Sequence, residues 1–241
     1  MDAVRSVETP TTKVLTIRTG RFKENCFLVV DKASRRSLLV DPGAEPDRIS
    51  EVVRSEATQV EHILLTHGHF DHVGAVARLC RDLQVKAHCH ESEMKLIRRA
   101  PLYAIRFIRE RLEAPTGLSP FSESPAIDGG AFALKTLRTP GHTAGSVCYW
   151  IRGFLFTGDT LFHRYIGPTN YPESEPERIR HSVDLIMSSE FEGATVVMPG
   201  HGRPWNLVEA RQWWTESRNE AAAYHIGNDP TIRRTNGEGN A

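Results

Sequence analysis

The chain has 241 residues, enough for one sizeable domain, and 39% of them are apolar, which excludes a disordered polymer. Thirty basic residues balance thirty acidic ones, so no net field draws the molecule to nucleic acid or to anionic lipid. No apolar run approaches the ~18–20 residues of a membrane span, no signal-peptide pattern opens the chain, and Cys26, Cys80, Cys89 and Cys148 are too scattered for a disulfide framework. The expectation is a cytoplasmic protein acting on a small molecule.

In chain order, residues 1–12 and 227–241 are polar and read as flexible tails around a single domain over 13–226. Lys13–Thr19, Asn25–Val30 and Ser37–Val40 read as short strands, followed by the turn Asp41-Pro42-Gly43. Asp47–Ser55 has Ile49, Val52 and Val53 on one helical face, and His62–Thr66 is a strand running straight into a histidine cluster. Val73–Asp82 reads as a helix and Val85–Cys89 as the next strand. Residues 91–113 form a helical region broken near Pro101, and 114–130 a Pro-, Ser- and Gly-rich connection, so that 91–130 suggests a lid. Strands Phe132–Leu137, Ser146–Ile151 and Phe154–Thr157 follow, then a long loop over 159–175. A helix Pro176–Ser188, a strand Thr195–Met198 and a helix Leu207–Tyr224 complete the reading.

The chemistry concentrates in Thr66-His67-Gly68-His69-Phe70-Asp71-His72. Histidines two apart at the end of an extended segment point the same way and can reach one ion, while Asp71 and His72 arrive on the turn that opens the next helix. Four such groups within six residues suit zinc, iron or manganese; Asp71 has a second reading as a helix cap. Three later segments each end an apolar strand with a glycine beside a ligand-type residue: Gly141-His142, Gly158-Asp159 and Gly200-His201. Glycine there lets the backbone turn sharply and pass close to an ion.

The order and form of these motifs resemble the metallo-β-lactamase superfamily, and most closely its type II glyoxalase (hydroxyacylglutathione hydrolase) branch, over most of residues 13–205. The resemblance implies an α/β fold, an αββα four-layer sandwich with ligands on loops along one edge. It also implies two divalent metal ions, zinc first with iron or manganese as alternatives. His67, His69 and His142 would hold one ion, Asp71, His72 and His201 the other, and Asp159 would bridge them. Such a pair activates a shared water as hydroxide at neutral pH, with Asp71 as the catalytic group that orients it or moves its proton.

Thr160-Leu161-Phe162 after Asp159 is similar to the glyoxalase branch, which favours a small thioester; lactonases tend to carry tyrosine where Phe162 stands. Pro168 and Asn170 depart from that branch, whose glutathione-specific members carry lysine and tyrosine there. The sequence also continues only about forty residues past His201, short of the helical domain of larger relatives. Candidate substrate contacts are Arg106 and Arg109, from the basic segment Lys95–Arg111, and Tyr165 and Tyr171 on the loop. Asp41 reads first as an Asx-Pro turn and second as a carboxylate that fixes a ligand histidine. His88 and His90 read as packing residues. The alternatives are an iron-dependent persulfide dioxygenase, a lactonase or other ester hydrolase of the same superfamily, and a non-enzymatic binding module.

Overall fold

Alternation along the strand Glu24–Asp31 explains the architecture. All eight of its residues are buried, which requires cover on both faces. Phe27 and Val29 point into one apolar cluster, Leu28 and Val30 into another. The computed structural model describes residues 3–124 and 132–218.

The first sheet has seven strands in sequential order: β1 (Arg5–Glu8), β2 (Thr12–Thr19), β3 (Glu24–Asp31), β4 (Arg36–Val40), β5 (Gln59–Leu64), β6 (Lys86–His90) and β7 (Leu118–Phe121). Neighbours are antiparallel from β1 to β4 and parallel from β4 to β7. Between them run α1 (Pro46–Ser55), α2 (Phe70–Val73), α3 (Val76–Leu83) and α4 (Met94–Ile108). The apolar faces of α1, α3 and α4, including Ile49, Val53, Val76, Leu79, Ile97 and Ala100, cover the outer side of this sheet.

The second sheet contains β8 (Leu134–Arg138), β9 (Val147–Ile151), β10 (Phe154–Gly158), β13 (Val196–Pro199) and β14 (Trp205–Asn206), in the order β14-β13-β10-β9-β8. A two-residue hairpin, β11 (Leu161–Phe162) with β12 (Tyr165–Ile166), lies in the expected long loop. The helices α5 (Pro176–Ser188) and α6 (Leu207–Ser217) cover the outer face through Val183, Ile186, Ala210 and Trp214. Between the sheets, Phe27, Val29, Leu38 and Leu64 meet Tyr149, Ile151, Phe154, Phe156 and Met198. The layers are therefore helix, sheet, sheet, helix, as the resemblance implied.

Four expectations change. Residues 5–8, assigned to a polar tail, pair with β2 as an edge strand, because backbone hydrogen bonds need no apolar side chain. Pro101 lies inside α4 without ending it; the buried face of Leu96, Ile97, Ala100 and Ala104 outweighs the missing N–H. The stretch 91–130, expected as a lid, instead contributes α4 to the outer helical layer and β7 as an edge of the first sheet, with 125–131 outside the described residues. The helix expected over 73–82 is divided into α2 and α3, and the Ala75 N–H between them donates to Pro42 O at 3.0 Å. The tail expected at 227–241 and the end of the helix expected to reach Tyr224 lie outside the described residues. No described helix is long and apolar enough to cross a membrane.

Phe156 is fully buried between the sheets, its ring 5.1 Å from that of Phe27. Phe156→Ala should lower stability by about 3–5 kcal/mol, read from the shift in urea midpoint at unchanged slope.

Candidate metal centre

Every ligand-type residue singled out in the sequence sits at one edge of the sandwich, where β5, β10 and β13 end and β9 begins. Two backbone links join the sheets at this edge. Val147 N–H donates to Thr66 O at 2.9 Å, and Asn25 N–H to Gly200 O at 2.8 Å. The Asn25 amide adds bonds to Pro199 O at 2.9 Å and Gly202 O at 3.1 Å. The loops carrying the His67 cluster, His142 and His201 are thus tied together before any ligand is considered. Gly158, with φ of 47°, lets β10 turn into Asp159; a Cβ there would collide with the Thr66 side chain.

The side chains form two groups, His67 with His69 and His142, and Asp71 with His72 and His201, whose ligand atoms lie within 4.8 Å of one another in each group. Asp159 reaches both. Its Oδ1 is 3.3 Å from His72 Nε2, and its Oδ2 is 3.6 Å from His142 Nε2 and 3.7 Å from His201 Nε2. His201 Nε2 is also 3.5 Å from Asp71 Oδ2. Asp71 lies in the first turn of α2, whose cap position is His69, and its carboxylate faces His201 in the cluster.

Each imidazole is oriented by a partner on its outer nitrogen. His142 Nδ1 donates to Pro168 O at 2.7 Å, and His201 Nδ1 to Phe22 O at 3.2 Å. His72 Nδ1 donates to Asp41 Oδ2 at 3.1 Å, and His69 Nε2 to Glu173 Oε1 at 2.7 Å. Thr66 Oγ1 donates to Asp41 Oδ2 at 2.6 Å, which leaves the Thr66 hydroxyl oxygen to accept from His67 Nδ1 at 3.1 Å. With their protons committed outward, the inner nitrogens turn lone pairs toward one another: His69 Nδ1 lies 3.2 Å from His67 Nε2 and 2.8 Å from His142 Nε2.

That arrangement suits a cation. Among the described side chains, His72 Nε2 and Asp159 Oδ1 are buried with no hydrogen-bond partner inside the protein, an expensive condition for polar atoms unless an ion takes them as ligands. Burial lowers the His142 imidazole to about 4, and lowers His67 well below the ordinary range, so both rings are neutral at pH 7, the form that can bind a cation. Burial opposes ionisation of Asp159, but His201, His72 and His142 overcome it and hold the carboxyl well below its usual range. Asp71 likewise falls to about 2 against burial, through the His201 hydrogen bond and the charge on His72, a ring that Asp159, Asp41 and Asp71 raise well above its usual range against burial and whose inner proton a bound cation would replace. Two carboxylates among five imidazoles make a mixed nitrogen and oxygen donor set accepted by zinc, iron and manganese.

The sequence pattern described as the metallo-beta-lactamase superfamily matches residues 19–201. The chain belongs to that superfamily. It is accordingly a metal-dependent hydrolase with a histidine-rich candidate metal site. Among relatives of the superfamily, it is 30% identical to a probable polyketide biosynthesis zinc-dependent hydrolase, BaeB, of Bacillus velezensis, over 73% of this chain and 72% of that one. It is also 30% identical to the hydroxyacylglutathione hydrolase GloC of Haemophilus influenzae, over 75% of this chain and 86% of the relative. The solved structure of TTHA1623 in a di-iron-bound form superimposes with a TM-score of 0.72 at 32% identity, covering 81% of this chain and 96% of that one.

The structure treats the other candidates unequally. Tyr171 stands at the cluster, its ring 5.1 Å from His69 and 5.7 Å from His142. Tyr165 stacks on Phe162 at 4.6 Å, and Phe162 lies 6.1 Å from His201. Arg106 is exposed on α4 and lines a shallow cavity of about 200 Å³ with Arg99, Leu102 and Tyr103. Arg109 ends α4 in the left-handed region, and no described contact brings it to the cluster. His88 and His90 serve packing: His88 pairs with His62 at 3.1 Å, and His90 donates to Ser122 O at 3.0 Å.

Asp41 departs most from its first sequence reading. It is buried, its backbone adopts a φ of 48°, and both its oxygens are used: Oδ1 accepts Thr66 N–H at 2.7 Å, and Oδ2 serves Thr66 Oγ1 and His72. The Asx-Pro turn is the minor part of its role. Glu173 was not anticipated, since nothing in its local sequence marks it. Asp41→Asn should weaken metal binding by about 10–100-fold, measured by competition with a chromophoric chelator, while the near-ultraviolet circular dichroism stays native.

Proposed function

We propose that this protein is a binuclear metal-dependent hydrolase of small thioesters of the hydroxyacylglutathione type, with His67, His69 and His142 around one ion, Asp71, His72 and His201 around the other, and Asp159 shared. The observation that carries the reading is Asp159, whose two oxygens face histidines of both groups while its Oδ1 and His72 Nε2 are buried without a hydrogen-bond partner. When bound, the ions supply Lewis acidity for the substrate carbonyl and an activated water for attack.

The chain's own residues do the rest. The outer hydrogen bonds hold each imidazole in one tautomer and orientation, so little reorganisation precedes the reaction. Asp71 lies beside His201 at the cluster and is placed to accept a proton from attacking water or to orient it. Tyr171 stands edge-on to His69 and His142 and is placed to pack against the acyl group. Tyr103 reaches from the cavity edge to Glu173 Oε2 at 3.3 Å, so the cavity lined by Arg99 and Arg106 borders the support of His69 and suits the anionic carrier. The resemblance of Thr160-Leu161-Phe162 to the glyoxalase branch and the likeness to a hydroxyacylglutathione hydrolase support the thioester. Zinc is the first expectation for the metal, and iron is the alternative suggested by the di-iron neighbour.

Elemental analysis of the purified protein, coupled to thiol release from a hydroxyacylglutathione thioester, tests this reading; a lactone and a glutathione persulfide serve as comparison substrates. Two metal equivalents per chain and preferred thioester turnover are expected. Chelation should abolish turnover, and a divalent ion should restore it. Asp159→Ala should lose about 10²-fold or more in metal affinity and most of the turnover. A fully metallated protein that leaves the thioester intact, or an Asp159→Ala variant with full metal content and rate, would refute the proposal.

A further inference from the structure

One buried carboxylate near the cluster faces neither group of ligands. Glu93, the residue before α4, is only 2% exposed. Its Oε2 accepts Gly68 N–H at 2.6 Å, and its Oε1 accepts Gly145 N–H at 2.7 Å. Gly68 lies between His67 and His69, and Gly145 closes the loop that presents His142. A single side chain therefore grips the two backbone segments that carry all three histidines of the first group. The glycines are shaped for it: a Cβ would lie 2.9 Å from Oε2 at residue 68 and 2.6 Å from Oε1 at residue 145. A buried carboxylate needs such charge-assisted donors to offset its desolvation, so the grip is strong and directional. No contact of this kind joins Glu93 to Asp71, His72 or His201 among the described residues.

We propose that Glu93 is a positioning residue for the ion held by His67, His69 and His142, acting by fixing the spacing of their two loops and leaving the other ion unaffected. The inference rests on the metal assignment proposed above. It places the selectivity in the backbone: Gly68 and Gly145 move apart when the clamp is lost, and the three ring nitrogens no longer converge. The second group depends instead on Asp41 and on the Phe22 carbonyl, which Glu93 does not touch.

The test is a cobalt(II) titration of the full-length, metal-stripped protein, read by ligand-field absorption and equilibrium dialysis. Wild-type protein that takes up no cobalt would overturn the metal assignment itself, independently of Glu93. His201→Ala leaves the first group of histidines intact, and His142→Ala leaves the second. Glu93→Gln, which keeps the shape but offers an amide N–H to one of the two backbone donors, should weaken cobalt binding about 10–100-fold in the His201→Ala background and alter its absorption bands. In the His142→Ala background it should change neither affinity nor spectrum. Gly145→Ala, which retains the carboxylate but crowds Oε1, should reproduce the same selective loss. Equal losses in both backgrounds would show a merely structural role and overturn the proposal, as would unchanged binding in both.

Discussion

Mutual orientation of imidazoles by acceptors behind them is the constraint on which this site depends. Asp41 illustrates it most directly. Its carboxylate fixes His72 at first hand and His67 through the Thr66 hydroxyl, so one residue sets a ring in each of the two groups. To do so it occupies the left-handed backbone region at the end of β4, a conformation of order 1–3 kcal/mol above the relaxed chain, held by the Thr66 amide and hydroxyl. The strain and the burial make sense together, because the two rings must present lone pairs inward toward the same small volume.

The sandwich supports this arrangement by rigidity. Strands from both sheets end at one edge, and the links from Val147 to Thr66 and from Asn25 to Gly200 prevent the sheets from sliding there. The inter-sheet core of Phe27, Leu64, Phe154 and Phe156 lies beneath those links, so apolar packing and site geometry are mechanically connected. Two of the buried polar side-chain atoms without a hydrogen-bond partner, His72 Nε2 and Asp159 Oδ1, lie together at the cluster.

The loop after Asp159 supplies several of the groups around this edge. Tyr171 and Pro168 come from the loop after Asp159, and that loop both supports His142 through the Pro168 carbonyl and supplies Glu173 to His69. Groups that orient the histidines and an aromatic ring that stands against them are thus interleaved on one segment.

The sequence by itself located most of the strands and marked the candidate metal-binding residues, and its resemblance to the superfamily implied the layers. Strand periodicity located the buried strands, and the density of His67, His69, Asp71 and His72, with glycines beside His142, Asp159 and His201, marked side chains that need a common partner. Those signals are local, carried by residues within one strand or turn. The tertiary structure alone decided which groups stand behind these side chains: Asp41 is 25 positions from Thr66 and 31 from His72, Glu173 is 104 from His69, and the Phe22 carbonyl is 179 from His201. A single carboxylate in a turn has the same local appearance whether it caps that turn or orients a distant ring. The same reason explains β1 and Pro101, where pairing with β2 and burial of one face of α4 override what the nearby residues prefer. Hydrogen-bond acceptors for imidazoles are chosen by proximity in space, which only the packed sheets create.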